Sequence, residues 1–239
     1  MALLTMAARL RPAFDRDRAP GAAHEPAVLA AGGTGPRLVC FPALSALSGP
    51  QEYARLAAGL RGLRPVSAVR HPGFDPREAL PAALDALVTA QAAAVRAVAA
   101  EGPRCCWGGR PVAGAAERLE SEDAAPVAVV LVDTHPPVHG DQDRGLTAMA
   151  GYFELFRDWE PAPLTCPTLY VRARDPLPGA GPAPGWSLPH AEVTVPGDHF
   201  TMLEEHARTT ALAVHRWLGD RGRGRSGRGT VLTRPERSG

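Results

Sequence analysis

Apolar residues in this chain gather into short unbroken runs separated by longer segments of helical spacing. Arg37–Phe41 (RLVCF) lies between Gly35 and Pro42, and Pro65–Val69, Val127–Val132 (VAVVLV), Thr168–Val171 and Val193–Val195 are further runs of the same kind. Such runs predict strands buried on both faces. Between them, Pro50–Arg61 sets Tyr53, Leu56, Ala57 and Leu60 on one helical stripe. Leu80–Ala100 does the same with Leu84, Leu87, Val88, Val95 and Val98, and Val112–Glu120 and Thr209–Leu218 add two more helices. Strands alternating with helices predict an α/β fold built on a mainly parallel sheet with helices on both faces. Ligands of such sheets bind at the carboxyl ends of the strands. Asp133 directly follows one predicted strand there, and His199 follows another by four residues, beyond a Pro-Gly turn.

The flanks read differently. Met1–Phe14 is a short helix or its remnant, stopped by Pro12, and Asp15–Pro36 is a linker of Pro, Gly, Ala and mixed charge. From Gly219 to Gly239 six arginines stand among Gly, Ser, Thr and Pro without apolar periodicity, which predicts a disordered tail. The expected organisation is therefore 1–36 helix and linker, 37–218 one α/β domain, and 219–239 tail. Every basic side chain other than histidine is arginine, a sign of GC-rich coding DNA. The net charge of +1 gives the whole chain no pull on nucleic acid, so an RGG-like role for the tail is the weaker reading. With no run long enough to span a bilayer and no secretory pattern at the N-terminus, the expectation is a soluble cytoplasmic protein without a membrane partner. Cys40, Cys105, Cys106 and Cys166 form no CxxC pair, which argues against a zinc site or a disulfide framework. His135 and His139, near Asp133, Asp141 and Asp143, have the composition of a metal site but no ligand spacing.

Several longer segments resemble one family. Val195–Ala207 (VPGDHFTMLEEHA) and Val130–Pro137 (VLVDTHPP) resemble the histidine and acid motifs of type I modular polyketide synthase thioesterases. Ser48–Gly62, His71–Val95, Gly151–Trp159 and Pro167–Ala173 match in the same order, so the resemblance runs over roughly residues 37–218, and Leu3–Phe14 looks like the lead-in to such domains. It implies an α/β-hydrolase fold that needs no diffusible cofactor or metal. The substrate implied is a polyketide acyl chain on the phosphopantetheine arm of an acyl carrier protein, or of a fused upstream module. Dimers through N-terminal helices are also allowed. By motif, Asp133 is the triad acid and His199 the base.

The nucleophile is less direct, because the chain has no GxSxG elbow. Matching Ala116–Glu120 without gaps to the family's helix puts Cys106 on the nucleophile position, 27 residues before Asp133, with Gly108 as the last elbow glycine. A thiolate is a sensible replacement. The amide of Trp107, with a second donor near Leu44 or Ser45, would then face the oxyanion. Arg104, however, replaces the first elbow glycine, and only EGPRC remains where the family has an apolar central strand. A second register keeps RCCWGG as that strand and puts Arg110 on the nucleophile position, which abolishes acyl transfer. The loop between His135 and Leu146 is also shorter than the helical lid of the family, which would favour hydrolysis over cyclisation.

The reading that follows is release of a polyketide chain, by hydrolysis or lactonisation, through an acyl-enzyme on Cys106, His199 and Asp133. The rivals are a buried structural cysteine pair in a degenerate domain with a docking role, and a general hydrolase of small thioesters.

Overall fold

The computed structural model describes residues 2–18, 25–46, 48–75, 77–98, 103–134, 146–177 and 186–226, the last six by their backbone only. In chain order the elements begin with α1 (Ala2–Arg9), β1 (Ala13–Phe14), β2 (Ala27–Ala30), β3 (Arg37–Cys40), a 3-10 turn (Pro50–Tyr53) and α2 (Ala54–Leu60). There follow β4 (Val66–Ala68), β5 (Leu80–Pro81), α3 (Leu84–Ala97), β6 (Arg104–Gly108), α4 (Arg110–Ser121) and β7 (Ala128–Val132). α5 (Leu146–Leu155), β8 (Thr168–Ala173), β9 (Ala191–Val195) and α6 (Ala207–Ser226) complete the set.

Seven strands share one sheet in the order β2-β4-β3-β6-β7-β8-β9, parallel throughout except for β2. Side chains alternate across it as the pleat requires. Leu38, Cys40, Cys105, Trp107, Val130 and Val171 face Leu56 and Leu60 of α2 and Ala211 and Val214 of α6. Val39, Cys106, Val129, Leu131 and Tyr170 face Ala92 and Val95 of α3 and Val112, Ala115 and Leu119 of α4. This is the doubly covered, mainly parallel sheet that the unbroken apolar runs predicted, in the α/β-hydrolase-like form that the resemblance implied. Among the described residues, no helix is long and apolar enough to cross a membrane.

Three elements depart from expectation. Ala27–Ala30, inside the expected linker, is an antiparallel edge strand on β4; four residues beside Pro26 are too short to show a period, and pairing with a neighbour holds them in place. Leu80 and Pro81, expected to open a helix, pair instead with Ala13 and Phe14, and α3 starts at Leu84. α6 runs on to Ser226, past the expected start of the tail, because extending a helix already packed over Ala207–Leu218 adds a bond for each residue ordered. Residues 227–239 and the loop 135–145, with His135, His139, Asp141, Asp143 and the expected short lid, lie outside the described residues.

Candidate active site

β6 decides the site. Its neighbours β3 and β7 are central strands, and an empty slot between them would leave two rows of buried N–H and C=O groups unpaired. Residues 98–109 separate the end of α3 from α4, and RCCWG is the stretch that fills the slot, with Cys106 opposite Val39 on one side and Val129 on the other. The chain thus adopts the register with RCCWGG as strand. Cys106 sits inside β6, fully buried against α3 and α4 and away from the strand end. Burial pushes its thiol well above the ordinary range, and the neighbouring Cys105 and Cys166 add to this. Cys105 on the opposite face is pushed up to about 12, again by burial. The expected role of Cys106 as nucleophile is therefore corrected: it is a core residue with no exposed sulfur, and burial disfavours its thiolate. The Trp107 amide is corrected with it, because Trp107 lies in the same ladder, paired with Cys40 and Val130, with its ring in the core.

The strand-to-helix turn falls later than expected, beyond Cys106, at Gly108–Gly109. Gly108 has φ +155°, and a Cβ there would lie 2.7 Å from the Phe41 carbonyl oxygen and 2.9 Å from the Phe41 Cβ. The backbones of β6 and β3 approach too closely for any other residue. Gly109 caps α4, and Arg110 and Pro111 open the helix. No residue from Trp107 to Val112 carries a hydroxyl, thiol or carboxylate. The second register of the sequence reading puts Arg110, here the first residue of α4, on the family's nucleophile position, and Pro111, the next residue, has no N–H to offer an oxyanion.

The other two expected residues meet. Asp133 follows β7 with φ +31°, a conformation that Asp tolerates better than most residues. Its N–H donates to the Val171 carbonyl at 2.8 Å. Its Oδ1 accepts from the Ala173 amide at 3.4 Å, and its Oδ2 lies 3.1 Å from His199 Nδ1. A carboxylate can only accept, so Nδ1 is the donor of this pair. His199 is presented by a turn after β9 in which Asp198 Oδ1 accepts from the amides of Phe200 and Thr201 and from the Thr201 hydroxyl. The Thr201 amide and hydroxyl hold the Asp198 carboxyl below its usual range, which makes it a turn former and not the triad acid. The elbow borders the same corner: a Cβ on Gly109 would lie 3.8 Å from Thr134 Oγ1.

Two residues of the site carry no sequence signal. Glu52, in the 3-10 turn, reaches back to the Ala43 amide at 3.1 Å and orders the loop after β3, where the hydroxyls of Ser45 and Ser48 are 2.7 Å apart. Ser45 thus lies in the loop after β3, at the carboxyl end of that strand. Burial raises the Glu52 carboxyl, while the Ser48 hydroxyl, two backbone amides and the nearby His199 partly offset this.

His71 holds the same loop from beneath. Its Nε2 donates to the Pro42 carbonyl at 2.7 Å and its Nδ1 accepts from Gln91 Nε2 at 3.1 Å, with the rings of Phe74 and Tyr152 alongside. Desolvation lowers its pKa from 6.5 to about 4. The unfolded chain therefore takes up this proton near pH 6.5, while the folded protein refuses it until about pH 4. Stability is fully present above 6.5 and falls between those two values as the pH drops, by about 3 kcal/mol. Urea unfolding at pH 7 and pH 4.5 should show most of this loss in the parent and a flatter slope in His71→Gln. Equal slopes would exclude it.

Comparison with known proteins agrees with this architecture. The thioesterase domain family matches residues 36–170. The spectinabilin polyketide synthase system protein NorC of Streptomyces orinoci is 42% identical over 251 aligned residues, covering 90% of this chain and 11% of that protein. Polyketide synthase GfsE of Streptomyces halstedii is 40% identical over 253, covering 91% and 7%. This chain therefore spans only a small part of the relatives' length. Among solved structures, the NocB thioesterase domain from the nocardicin cluster superposes with a TM-score of 0.63 at 22% identity, covering 78% of this chain and 95% of that one. That likeness concerns the fold.

Proposed function

Since the chain belongs to the thioesterase domain family and its relatives are modular polyketide synthase proteins, we propose that it is a chain-release-type domain that no longer forms an acyl-enzyme and instead docks an acyl chain borne by a carrier protein. One observation carries this reading. The elbow Gly108-Gly109-Arg110-Pro111 offers neither a nucleophilic atom nor the amide that follows one. Cys106 does not replace it, because its sulfur is buried inside the sheet. The acyl chain would reach the site on a phosphopantetheine arm, from a carrier protein or a fused upstream module, and the domain itself would use no diffusible cofactor. The exposed face of Leu3, Met6 and Leu10 at α1 supports self-association, which sedimentation velocity across a concentration series tests.

A second reading is favoured by the 3.1 Å pair of His199 and Asp133, which is oriented as a general base. It would draw a proton from water attacking the thioester directly, releasing the acid in one step.

Incubation with an acyl-pantetheine thioester or a fluorophosphonate, followed by intact-mass analysis and assay of free thiol, separates the readings. Neither adduct nor thiol release above the rate of a His199→Ala variant is the expected result. Thiol released without adduct, and lost in His199→Ala, supports direct hydrolysis. A covalent acyl adduct would overturn both.

A further inference from the structure

We propose that the loop after β3 selects which acyl chain docks here: Ser45 Oγ accepts a hydrogen bond from a hydroxyl near the thioester end of the chain, and Phe200 packs against the hydrocarbon beyond it. This rests on the docking reading above and names the substrate class of the same site.

The direction of one hydrogen bond points to this ligand. The hydroxyls of Ser45 and Ser48 lie 2.7 Å apart, and taken alone either one can donate. Glu52 decides between them. Its carboxylate accepts from the Ala43 amide at 3.1 Å, from the Gly49 amide and from the Ser48 hydroxyl. A hydroxyl has a single proton to give. With the Ser48 proton directed to Glu52, the proton between the two serines belongs to Ser45, and Ser45 Oγ presents only lone pairs to a ligand. A run of hydroxyls that ends on a carboxylate also polarises its outermost oxygen, which makes that oxygen a stronger acceptor. The group that meets Ser45 is therefore a donor, since a carbonyl or a carboxylate would face lone pairs.

Ser45 is also held in one place. The Ser48 amide donates to the Ser45 carbonyl at 3.0 Å, closing the same turn through the backbone. Just before it, the Phe41 carbonyl accepts from Tyr53, the Pro42 carbonyl from His71, and the Ala43 amide donates to Glu52. Both serines are half-buried and not sealed in the core. The loop leaves β3 beside the elbow, where a Cβ on Gly108 would lie 2.7 Å from the Phe41 carbonyl oxygen. Glu52 lies within electrostatic reach of His199. Phe200, 63% exposed, has its ring 5.2 Å from that of His199, and Asp198 Oδ1 pins its amide at 3.0 Å. A serine relay and a fixed, exposed aromatic ring thus both adjoin the candidate base. The first suits a hydroxyl and the second a hydrocarbon. An amide N–H of the pantetheine arm is the other donor of this chemistry, and the test separates the two sources.

Calorimetric titration of the full chain tests this with ketone analogues of decanoyl- and 3-hydroxydecanoyl-pantetheine, in which a methylene replaces the thioester sulfur so that nothing is hydrolysed. The matching pair of propyl ketones, which have no amide, is titrated alongside. In both pairs the hydroxylated ligand should bind about fivefold more tightly, the scale of one neutral hydrogen bond. Ser45→Ala should equalise the members of each pair, Ser45→Thr should keep the preference, and Phe200→Ala should weaken every ligand to a similar degree. Melting curves establish that each variant is folded. Equal binding within the pairs by the parent, a preference that survives Ser45→Ala, or undiminished binding by Phe200→Ala would overturn the proposal and leave the docking reading standing. If Ser45→Ala weakened the pantetheine ligands alone, without any preference for the hydroxyl, the donor would be the arm's amide and the acyl hydroxyl would be ruled out. Failure of every ligand to bind would overturn the docking reading itself.

Discussion

Arg110→Ser combined with Pro111→Ala is expected to switch on covalent labelling, with one fluorophosphonate adduct per chain where the parent takes none. On this proposal the His199–Asp133 pair, 3.1 Å apart, serves the new hydroxyl, and the elbow borders Thr134, the neighbour of Asp133. The first substitution supplies a hydroxyl for Nε2 to deprotonate, and the second returns an amide for the oxyanion. One oxyanion donor contributes about 10²- to 10³-fold in rate, so Arg110→Ser with Pro111 kept should label more slowly than the double variant by that factor. Gly109→Ser, with Arg110→Ala, covers the adjacent residue of the turn, since helix starts are defined only to within a residue or two. His199→Ala in either background should abolish labelling. If no serine variant acquires an adduct while all melt as the parent does, the His199–Asp133 pair does not face this elbow, and the placement of Arg110 at the nucleophile position is wrong.

Gly108→Ala should be among the most destabilising single substitutions at the site, by about 3 kcal/mol. Its φ of +155° is unfavourable for an L side chain, and the new methyl would meet the backbone oxygen of Phe41 at 2.7 Å, an atom already engaged by the Tyr53 hydroxyl at 2.6 Å. Neither partner is the end of a flexible side chain, so the strand or the elbow must shift. Gly109→Ala, one residue along, has a negative φ and finds its nearest neighbour at 3.8 Å. It should cost less than about 1 kcal/mol. Urea midpoints of the two variants check the contrast, and similar midpoints would mean that β6 and β3 are not held as closely as described.

The pair Asp133 and His199 was legible because each follows a strand run directly or by a short turn, so order along the chain already put them at one end of a parallel sheet. Glu52 and His71 were not. They act by reaching back across the chain to the Ala43 amide and the Pro42 carbonyl, and a contact of that kind leaves no period or motif in the sequence. Ala27–Ala30 was hidden for a related reason, since a four-residue edge strand is defined by the neighbour it pairs with. Val127–Val132, by contrast, was unmistakable, being apolar on both faces as only a central strand needs to be.

The elbow shows where local reading ends. Spacing to Asp133 and the chemistry of sulfur pointed to Cys106, and both arguments were sound for an isolated segment. The rest of the sheet overruled them. β3 and β7 each present a buried edge that must be paired, the stretch before α4 is barely long enough to do it, and pairing Arg104–Gly108 carries both cysteines into the interior. The sequence by itself determined the alternation of strands and helices and the end of the sheet at which Asp133 and His199 meet, because these depend on periodicity and order. Only the tertiary structure decided which residues stand at the turn, because backbone hydrogen bonding across a whole sheet outweighs any preference of five residues.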